Sequence, residues 1–200
     1  MGHGCSIATP VLEMTLGTCL RSDRPTRFVD LGCGHGYNGA TLANFFIGWP
    51  QRVVFGIEAQ ERYRTPLWGC YRSVLVGDIR EEVPRLRGAI ESGLVTPYDV
   101  GLLFEVLEHL PKSDGEALLP QLPALAEHWF LSTPDRPVGT LEQTEWDKHV
   151  SLWTEGELRD LGWRILYPAN APDWATLGWP MVMGYRGDWD LSAVKCVREG

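Results

Sequence analysis

The residues most able to do chemistry lie in one segment, positions 28–39, with the sequence FVDLGCGHGYNG. A short apolar run ends at Asp30, whose carboxylate we expect to point out of the sheet rather than into the core. Three glycines follow it at alternate positions: Gly32, Gly34 and Gly36. Glycine adopts positive φ at little cost and has no Cβ to keep a ligand from the backbone. Asn38 can cap the helix that comes next, and such a turn at the carboxyl edge of a parallel sheet predicts a nucleotide-like ligand.

Two kinds of nucleotide ligand fit this glycine-rich segment. Residues 34–39 match the G-x-G-x-x-G pattern of dinucleotide-binding proteins, and Glu58 follows at about the expected distance. Asp30, however, would repel the pyrophosphate of a dinucleotide, whereas an acid suits a ligand that brings positive charge. S-adenosylmethionine brings such charge on both its ammonium and its sulfonium. A nicotinamide dinucleotide therefore remains the alternative ligand.

At residues 30–36, DLGCGHG, the chain resembles the class I S-adenosylmethionine-dependent methyltransferases. The first motif of that family is an acid followed by G-x-G-x-G at the end of the first strand. The resemblance implies an α/β fold that is doubly wound, with a mostly parallel seven-stranded sheet and helices on both faces. It also implies S-adenosylmethionine as the cofactor.

Acidic residues close three successive predicted strands: Asp30, Glu58 and Asp78. Because the carboxyl ends of parallel strands share one edge of a sheet, we expect the three carboxylates to converge. The resemblance implies that Asp30 and the glycine turn hold the methionine portion, Glu58 accepts the ribose hydroxyls and Asp78 reaches the adenine amino group. The expected cofactor-binding residues are Asp30, Gly32, Cys33, Gly34, Gly36, Glu58, Asp78, Ile79 and Phe104.

The remaining elements follow from apolar runs that alternate with amphipathic segments, a pattern that favours a parallel sheet covered on both faces. The predicted strands are residues 28–30, 52–58, 73–78, 98–104, 129–134, 163–167 and 180–185. The predicted helical segments are about 39–48, 60–70, 79–92, 113–126 and 154–162, with a weaker one over 11–20. Thr154 and Glu157 predict a capping box at the start of one of these helices.

A second group of ionisable residues follows the fourth predicted strand at positions 105–109, EVLEH. The resemblance places this segment on the substrate side. The E-x-x-E-H pattern also occurs in ribose methyltransferases of small-RNA 3′ ends and in O-methyltransferases of ubiquinone synthesis, where such residues and a distant histidine can bind a divalent metal. Here the distant candidate is His149. The expected metal ligands are therefore Glu105, Glu108, His109 and His149.

Carboxylates and imidazoles together suit a divalent cation, which could lower the pKa of a substrate hydroxyl. A metal-free general base at His109 or His149 accounts for the same residues equally well. With Glu105 facing the cofactor, the expected catalytic residues are His109, His149 and Glu105.

Composition bounds the class of protein. Two hundred residues with 44% hydrophobic and 22% charged side chains predict one soluble domain over residues 1–200. Within it we expect a helical cover at 1–27 and a substrate loop at 135–149. The net charge of −8 disfavours a general nucleic-acid-binding surface. No signal pattern or membrane-length run is present and the five cysteines form no C-x-x-C pair, so we expect a cytoplasmic protein with no membrane partner.

These features together predict an S-adenosylmethionine-dependent methyltransferase that acts on an oxygen or nitrogen of a small-molecule substrate. One alternative is a metal-dependent enzyme similar to the RNA 3′-end ribose 2′-O-methyltransferases, whose partner would be an RNA end. The others are an NAD(P)-dependent oxidoreductase and a non-catalytic subunit that binds S-adenosylmethionine.

Overall fold

The computed structural model describes residues 16, 26–47, 52–134, 145–167 and 181–189. Most of the predicted N-terminal cover lies outside this part of the chain. Leu16, which belongs to that cover, is helical and fully buried. The last residues of the predicted substrate loop, 145–149, are described, whereas 135–144 are not.

A seven-stranded sheet organises the described residues. Its strands are β1 (Thr26–Leu31), β2 (Arg52–Glu58), β3 (Ser73–Val76), β4 (Tyr98–Phe104), β5 (Ala126–Pro134), β6 (Arg164–Tyr167) and β7 (Met181–Arg186). They lie in the order β3-β2-β1-β4-β5-β7-β6. The first five strands are parallel, and β7 runs antiparallel to both β5 and β6. The predicted fold class is therefore confirmed.

The strand order places a ligand crevice at one point. From β1 the chain moves outward through β2 to β3 and then returns to the other side of β1 with β4. The connections after β1 and β4 therefore leave the sheet in opposite directions. In open α/β sheets this switch point, at the carboxyl ends of the strands, is where ligands bind.

Among the described residues, four α-helices connect the strands: α1 (Tyr37–Phe45), α2 (Ile79–Glu91), α3 (Lys112–Leu118) and α4 (Glu155–Asp160). The predicted capping box at α4 is confirmed, since Thr154 and Glu157 bond each other's backbone N–H groups. The predicted cap at Asn38 is wrong, because α1 begins at Tyr37, two residues before the expected start, and its N-cap Gly36 has no side chain to cap it. Within the described residues, no helix is both long and apolar enough to cross a membrane.

Two of the predicted helices are shorter than expected because of proline. Residues 60–70 form two 3₁₀ turns, Glu61–Tyr63 and Pro66–Cys70, rather than one helix. Residues 119–124 continue α3 only as a 3₁₀ turn that contains Pro120 and Pro123. Proline lacks a backbone N–H and clashes with the preceding helical turn, so it shortens a helix.

Both faces of the sheet carry a packed core. Alternate side chains of the central strands, such as Val29 and Leu31 on one face and Phe28 on the other, belong to two separate buried clusters. Leu16 packs in the second cluster together with Phe28. Burial on both faces is the reason that these parallel strands appear in the sequence as nearly continuous apolar runs.

Gly101 in the centre of β4 lies beneath the Trp129 ring. A Cβ at this position would be 2.5 Å from three ring atoms, and the ring cannot easily retreat because its Nε1 donates to the Leu122 carbonyl at 2.8 Å. We therefore expect Gly101→Ala to lower the free energy of unfolding by about 2 kcal/mol or more. Urea denaturation of the two proteins measures the difference.

Gly88→Ala in α2 is the matched control. No atom lies within 4 Å of a Cβ at Gly88, and alanine favours the helix interior. This variant should be more stable than the wild type by roughly 0.5–1 kcal/mol. Equal stability of the two variants would show that Trp129 does not fill the space above Gly101.

Candidate cofactor and acceptor site

The glycine turn adopts the conformation that its sequence requires. Gly32, Gly34 and Gly36 have φ of 74°, 51° and 90°, values that side-chain-bearing residues rarely adopt. A Cβ on Gly32 would also clash with Val106. The amides of Gly32 and Cys33 both donate to the Ile57 carbonyl, so β2 holds the start of the turn.

This turn is supported from below by three residues for which the sequence predicts no such role: Thr65, Trp68 and Tyr71. Thr65 Oγ1 donates to the His35 carbonyl at 2.7 Å, and Trp68 Nε1 donates to the Gly34 carbonyl at 2.8 Å. The Tyr71 ring lies in the space left by two glycines, since a Cβ on Gly39 or Gly56 would meet it. Glycines inside a helix and a strand are the sequence signal that could have indicated a large neighbour here.

Asp30 is placed differently from our expectation. It is fully buried and does not line the cavity described below, so the prediction that its carboxylate points out of the sheet is wrong. One oxygen accepts a bond from the Tyr71 hydroxyl at 2.6 Å, and the other accepts from the Asn38 amide at 3.2 Å. The Tyr71 hydroxyl in turn accepts from the Gly39 N–H at 2.9 Å. Asp30 therefore anchors the turn and the start of α1 from beneath.

Burial raises the pKa of Asp30 to about 6, although the bonds from Tyr71 and Asn38 oppose the shift. The nearby Glu58 carboxylate raises this pKa further. A buried acid with a raised pKa is costly to ionise unless a positive charge lies close to it.

Glu58 joins the end of β2 to the glycine turn. Its Oε2 accepts the Gly34 N–H at 2.8 Å, and its Oε1 accepts the Gln60 N–H at 2.8 Å. Burial raises the pKa of Glu58 above its ordinary value, while these N–H groups partly offset the effect. The carboxylate is thus fixed in orientation at the wall of the cavity.

Asp78 is the N-cap of α2 and accepts the Arg80 N–H at 2.9 Å. Burial alone would raise its pKa, but hydrogen bonds from the Arg80 side chain and backbone outweigh burial and hold the pKa below its ordinary value. Asp78 and Ile79 both line the cavity, as predicted for residues that face a cofactor.

The cavity has a volume of about 630 Å³, part of which is open to solvent. Five of the predicted cofactor residues line it: Gly32, Gly34, Glu58, Asp78 and Ile79. The lining also includes Glu105 and His109, which follow β4, and Trp146 and Asp147 of the turn Glu145–Asp147. Of the three acids expected to converge, Glu58 and Asp78 line the cavity and Asp30 does not.

The structure does not bring Cys33 and Phe104 to the cavity wall. Both side chains are buried in the apolar cluster that also contains Phe28. Burial also raises the pKa of the Cys33 thiol, which makes it a poor nucleophile. These two residues shape the turn and the end of β4 through packing.

Glu105 follows β4 with φ of 55°, the single positive φ among the described residues other than glycine. Its Oε1 accepts the Ser132 hydroxyl at 2.6 Å, and its N–H donates to the Ser132 carbonyl at 3.0 Å. Burial raises the pKa of Glu105 to about 7. A non-glycine residue in this region is strained, and such strain tends to occur at functional sites.

Glu108, His109 and His149 form a cluster in which one possible ligand atom from each lies within 4.8 Å of the others. Two backbone bonds bring His149 there, because the Val150 and Ser151 N–H groups donate to the Glu108 carbonyl. Glu105 lies outside this group, so the prediction that it joins the metal ligands is wrong for this geometry. Its bond to Ser132 keeps its carboxylate apart from them.

This cluster contains polar atoms that the protein leaves without partners. Among the described residues, Glu108 Oε1 and His149 Nδ1 are buried and accept or donate no hydrogen bond. Burial and then the charge of Glu105 raise the pKa of Glu108. Burial lowers the pKa of His109 to about 4, with His149 adding to the effect, and burial also lowers the pKa of His149. Both imidazoles are therefore neutral near pH 7.

One carboxylate and two neutral imidazoles form a donor set that fits a divalent cation. The Nδ1 of His109 lies 3.1 Å from the Lys148 carbonyl, which orients the ring and leaves Nε2 for a ligand. The residues present and the two unpartnered atoms thus fit a metal. They fit a proton-accepting histidine pair as well.

No family model and no curated protein matches the chain. Solved structures do match. A TehB-like methyltransferase from Corynebacterium glutamicum has a TM-score of 0.56 at 12% identity over 93% of this chain and 89% of its own. An O-methyltransferase family protein from Burkholderia thailandensis has a TM-score of 0.53 at 14% identity over 90% of this chain.

The small RNA methyltransferase HEN1 has a TM-score of 0.55 at 16% identity over 95% of this chain. The chain spans about half of the Burkholderia protein, 55%, and 26% of HEN1. At these identities the comparison bears on architecture alone. Together with the strand order, it shows that this chain has the class I methyltransferase fold.

Proposed function

We propose that this protein is an S-adenosylmethionine-dependent methyltransferase that methylates an oxygen or nitrogen of a small molecule. The observation that carries the proposal is the meeting of the glycine turn, Glu58 and Asp78 on one side of a single cavity with His109 on the other. The likeness of fold to solved methyltransferases supports it.

Each part of S-adenosylmethionine has a matching group on the cofactor side. The Glu58 carboxylate, held by two backbone N–H groups, retains lone pairs for the ribose hydroxyls. Ile79 offers an apolar surface to a planar base, and Asp78 beside it offers an acceptor to an amino group. Gly32 and Gly34 leave room for the methionine portion against the backbone.

Methyl transfer needs little bond chemistry from the protein. The sulfonium is already a reactive donor, so the protein must align acceptor, methyl group and sulfur and exclude water. An acceptor hydroxyl or amine also has to lose a proton. His109, neutral near pH 7 and at the cavity wall, can accept this proton, and His149 lies beside it. The burial that lowers the pKa of His109 also makes it a weaker base than an exposed imidazole.

A small-molecule acceptor is favoured by charge. The net charge of −8 opposes the phosphates of a nucleic acid.

A metal-dependent enzyme similar to the RNA 3′-end ribose methyltransferases is the second candidate, favoured by Glu108, His109 and His149. These three residues would hold a divalent cation. Such a cation would lower the pKa of an acceptor hydroxyl. The unpartnered Glu108 Oε1 and His149 Nδ1 are the specific support for this candidate.

The strand order bears on the remaining alternatives. Dinucleotide-binding sheets have the order 3-2-1-4-5-6, with no strand inserted beside the fifth. Here β7 lies antiparallel between β5 and β6, which disfavours an NAD(P)-dependent oxidoreductase. A non-catalytic subunit would bind S-adenosylmethionine but transfer nothing, so a methyl-transfer assay distinguishes it.

We expect the protein to bind S-adenosylhomocysteine, measured by isothermal titration calorimetry. Glu58→Gln should weaken binding at least about tenfold, because an amide cannot accept two ribose hydroxyls and two N–H groups together. Glu61→Gln is the matched control, since the Glu61 side chain is 59% exposed and pairs with Arg64, and it should leave the affinity unchanged. Absence of binding by the wild type at millimolar ligand would reject the methyltransferase proposal.

Ionisation of Asp30 should lower the free energy of unfolding of the ligand-free protein as pH rises. Its folded pKa of about 6 exceeds the ordinary 3.8, so the unfolded chain releases this proton first as pH rises. Raising pH from about 4 to about 6 should therefore lower the stability of the wild type relative to Asp30→Asn, by on the order of 2 kcal/mol. Urea denaturation of both proteins across this range is the measurement. A difference that does not vary with pH would mean that Asp30 ionises normally.

The metal candidate predicts that the protein binds Mn²⁺, measured by electron paramagnetic resonance of the free ion. Glu108→Gln should weaken binding at least about tenfold because it replaces a charged ligand. Glu105→Gln, the matched control, should retain most of the affinity, since Glu105 lies outside the cluster. If Mn²⁺ binding is undetectable and methyl transfer survives a chelator, the metal-dependent candidate is rejected and the metal-free histidine base is retained.

A further inference from the structure

Residues 145–151 cross the acceptor side of the cavity, and we call this segment the strap. Its turn Glu145–Asp147 contributes Trp146 and Asp147 to the cavity wall. Its next residues carry His149 to the cluster with Glu108 and His109. Contacts that hold the strap in place therefore also position His149, one of the proposed acceptor-side groups.

The C-terminal end of the strap, Val150 and Ser151, is bound to the segment that follows β4. The N–H groups of Val150 and Ser151 donate to the Glu108 carbonyl at 2.7 and 3.2 Å. The Ser151 hydroxyl also donates to the Leu107 carbonyl at 2.9 Å. This end is anchored entirely to residues on the acceptor side.

The N-terminal part of the strap, residues 145–147, is bound instead to the cofactor side, through Asp147. This side chain is 2% exposed, and its two oxygens accept bonds from the Tyr63 hydroxyl and from Arg62 Nη2, the latter at 2.7 Å. Tyr63 and Arg62 follow β2, the strand that ends in Glu58. The contact therefore crosses the cavity rather than running along one wall.

Tyr63 also contacts the glycine turn. Its ring packs against His35 with ring centroids 4.9 Å apart, and its carbonyl lies 3.2 Å from the His35 Nδ1. Burial and then the bond to Asp147 raise the pKa of Tyr63, so its hydroxyl keeps the proton that it donates. One side chain thus joins the turn proposed for the methyl donor to the strap that carries His149.

We infer that Tyr63 is a positioning residue whose hydroxyl latches Asp147, holding the strap closed over the cavity and His149 in place. This inference rests on the proposed function for what the cavity holds. The latch itself is a property of the ligand-free protein and is tested without ligand. Opening it would remove the bond from the strap to Tyr63, while the bonds of Val150 and Ser151 to Glu108 remain as a hinge.

The first test is amide hydrogen exchange of the strap in the ligand-free protein. Tyr63→Phe keeps the ring against His35 and removes only the hydroxyl. A partly buried hydrogen bond to a charged group contributes enough that its loss should raise the exchange rates of the amides of residues 145–149 about tenfold. The Val150 and Ser151 amides, which remain bonded to Glu108, should exchange as in the wild type. Peptides of β4 should exchange as in the wild type, which separates opening of the strap from general destabilisation.

Two further variants serve as controls. Tyr98→Phe also removes a tyrosine hydroxyl, but at the amino end of β4, whereas the cavity lies at the carboxyl ends of the strands. It should therefore leave exchange of the strap unchanged. Asp147→Asn keeps an oxygen that accepts from Tyr63 and weakens the ion pair with Arg62, so it should raise exchange less than Tyr63→Phe. Unchanged exchange in Tyr63→Phe with faster exchange in Asp147→Asn would assign the latch to Arg62 and overturn the inference.

The second test is the dissociation rate of S-adenosylhomocysteine, followed by stopped-flow fluorescence. Tyr63→Phe should release the ligand about tenfold faster than the wild type, in proportion to the opening of the strap. If Tyr63→Phe speeds amide exchange of the strap but not release of S-adenosylhomocysteine, the strap does not close over the ligand and that part of the inference is overturned. If the wild type binds no S-adenosylhomocysteine, the proposed function fails, while the exchange experiment still decides whether Tyr63 holds the strap.

Discussion

The hydroxyl of Tyr71 makes the interaction on which the site depends. It donates to the buried Asp30 carboxylate and accepts from the Gly39 N–H, so it joins the end of β1 to the start of α1. Its ring occupies space that only glycine at positions 39 and 56 leaves open. With Trp68 and Thr65 it holds the backbone of the glycine turn from beneath. A turn with three positive-φ glycines would otherwise be costly to order, because glycine loses more conformational freedom than other residues.

Electrostatics sets a second constraint on the cavity. Asp30, Glu58, Glu105 and Glu108 are acids near the carboxyl edge of the sheet, and burial raises the pKa of each. Described cations near the cavity, such as Arg80 and Arg62, bond instead to Asp78 and Asp147. Ionising several buried acids close together costs free energy, and a positively charged ligand would relieve that cost. The sulfonium and ammonium of a methyl donor have the required sign.

The sequence predicts the sheet and the glycine turn well because both depend on local patterns. Buried parallel strands appear as apolar runs, and acids at strand ends must share an edge, which places Glu58 and Asp78 at the cavity. The supporting contacts of Tyr71, Tyr63 and Asp147 are not predictable in this way. They join residues dozens of positions apart through polar loops that have no periodicity.

The errors have equally local physical causes. Asp30 was expected to face outward from its position at a strand end, but Tyr71 and Asn38 supply hydrogen bonds that favour its burial. The helix expected from Gln60 onward is divided because Pro66 lacks a backbone N–H. The positive φ of Glu105 turns the chain immediately after β4, and Ser132 then holds its carboxylate away from the histidines. Spacing of residue types alone does not report a single unusual backbone angle.

The position of β7 has a consequence for how the chain reaches its native state. β6 pairs only with β7 among the described strands, and one edge of β5 is also completed by β7. Until residues 181–186 have emerged during synthesis, β5 presents an unpaired row of N–H and C=O groups flanked by apolar side chains. Such an edge is prone to intermolecular association. The slowest and most aggregation-sensitive stage of folding should therefore be the insertion of β7, a non-local event with a high entropic barrier.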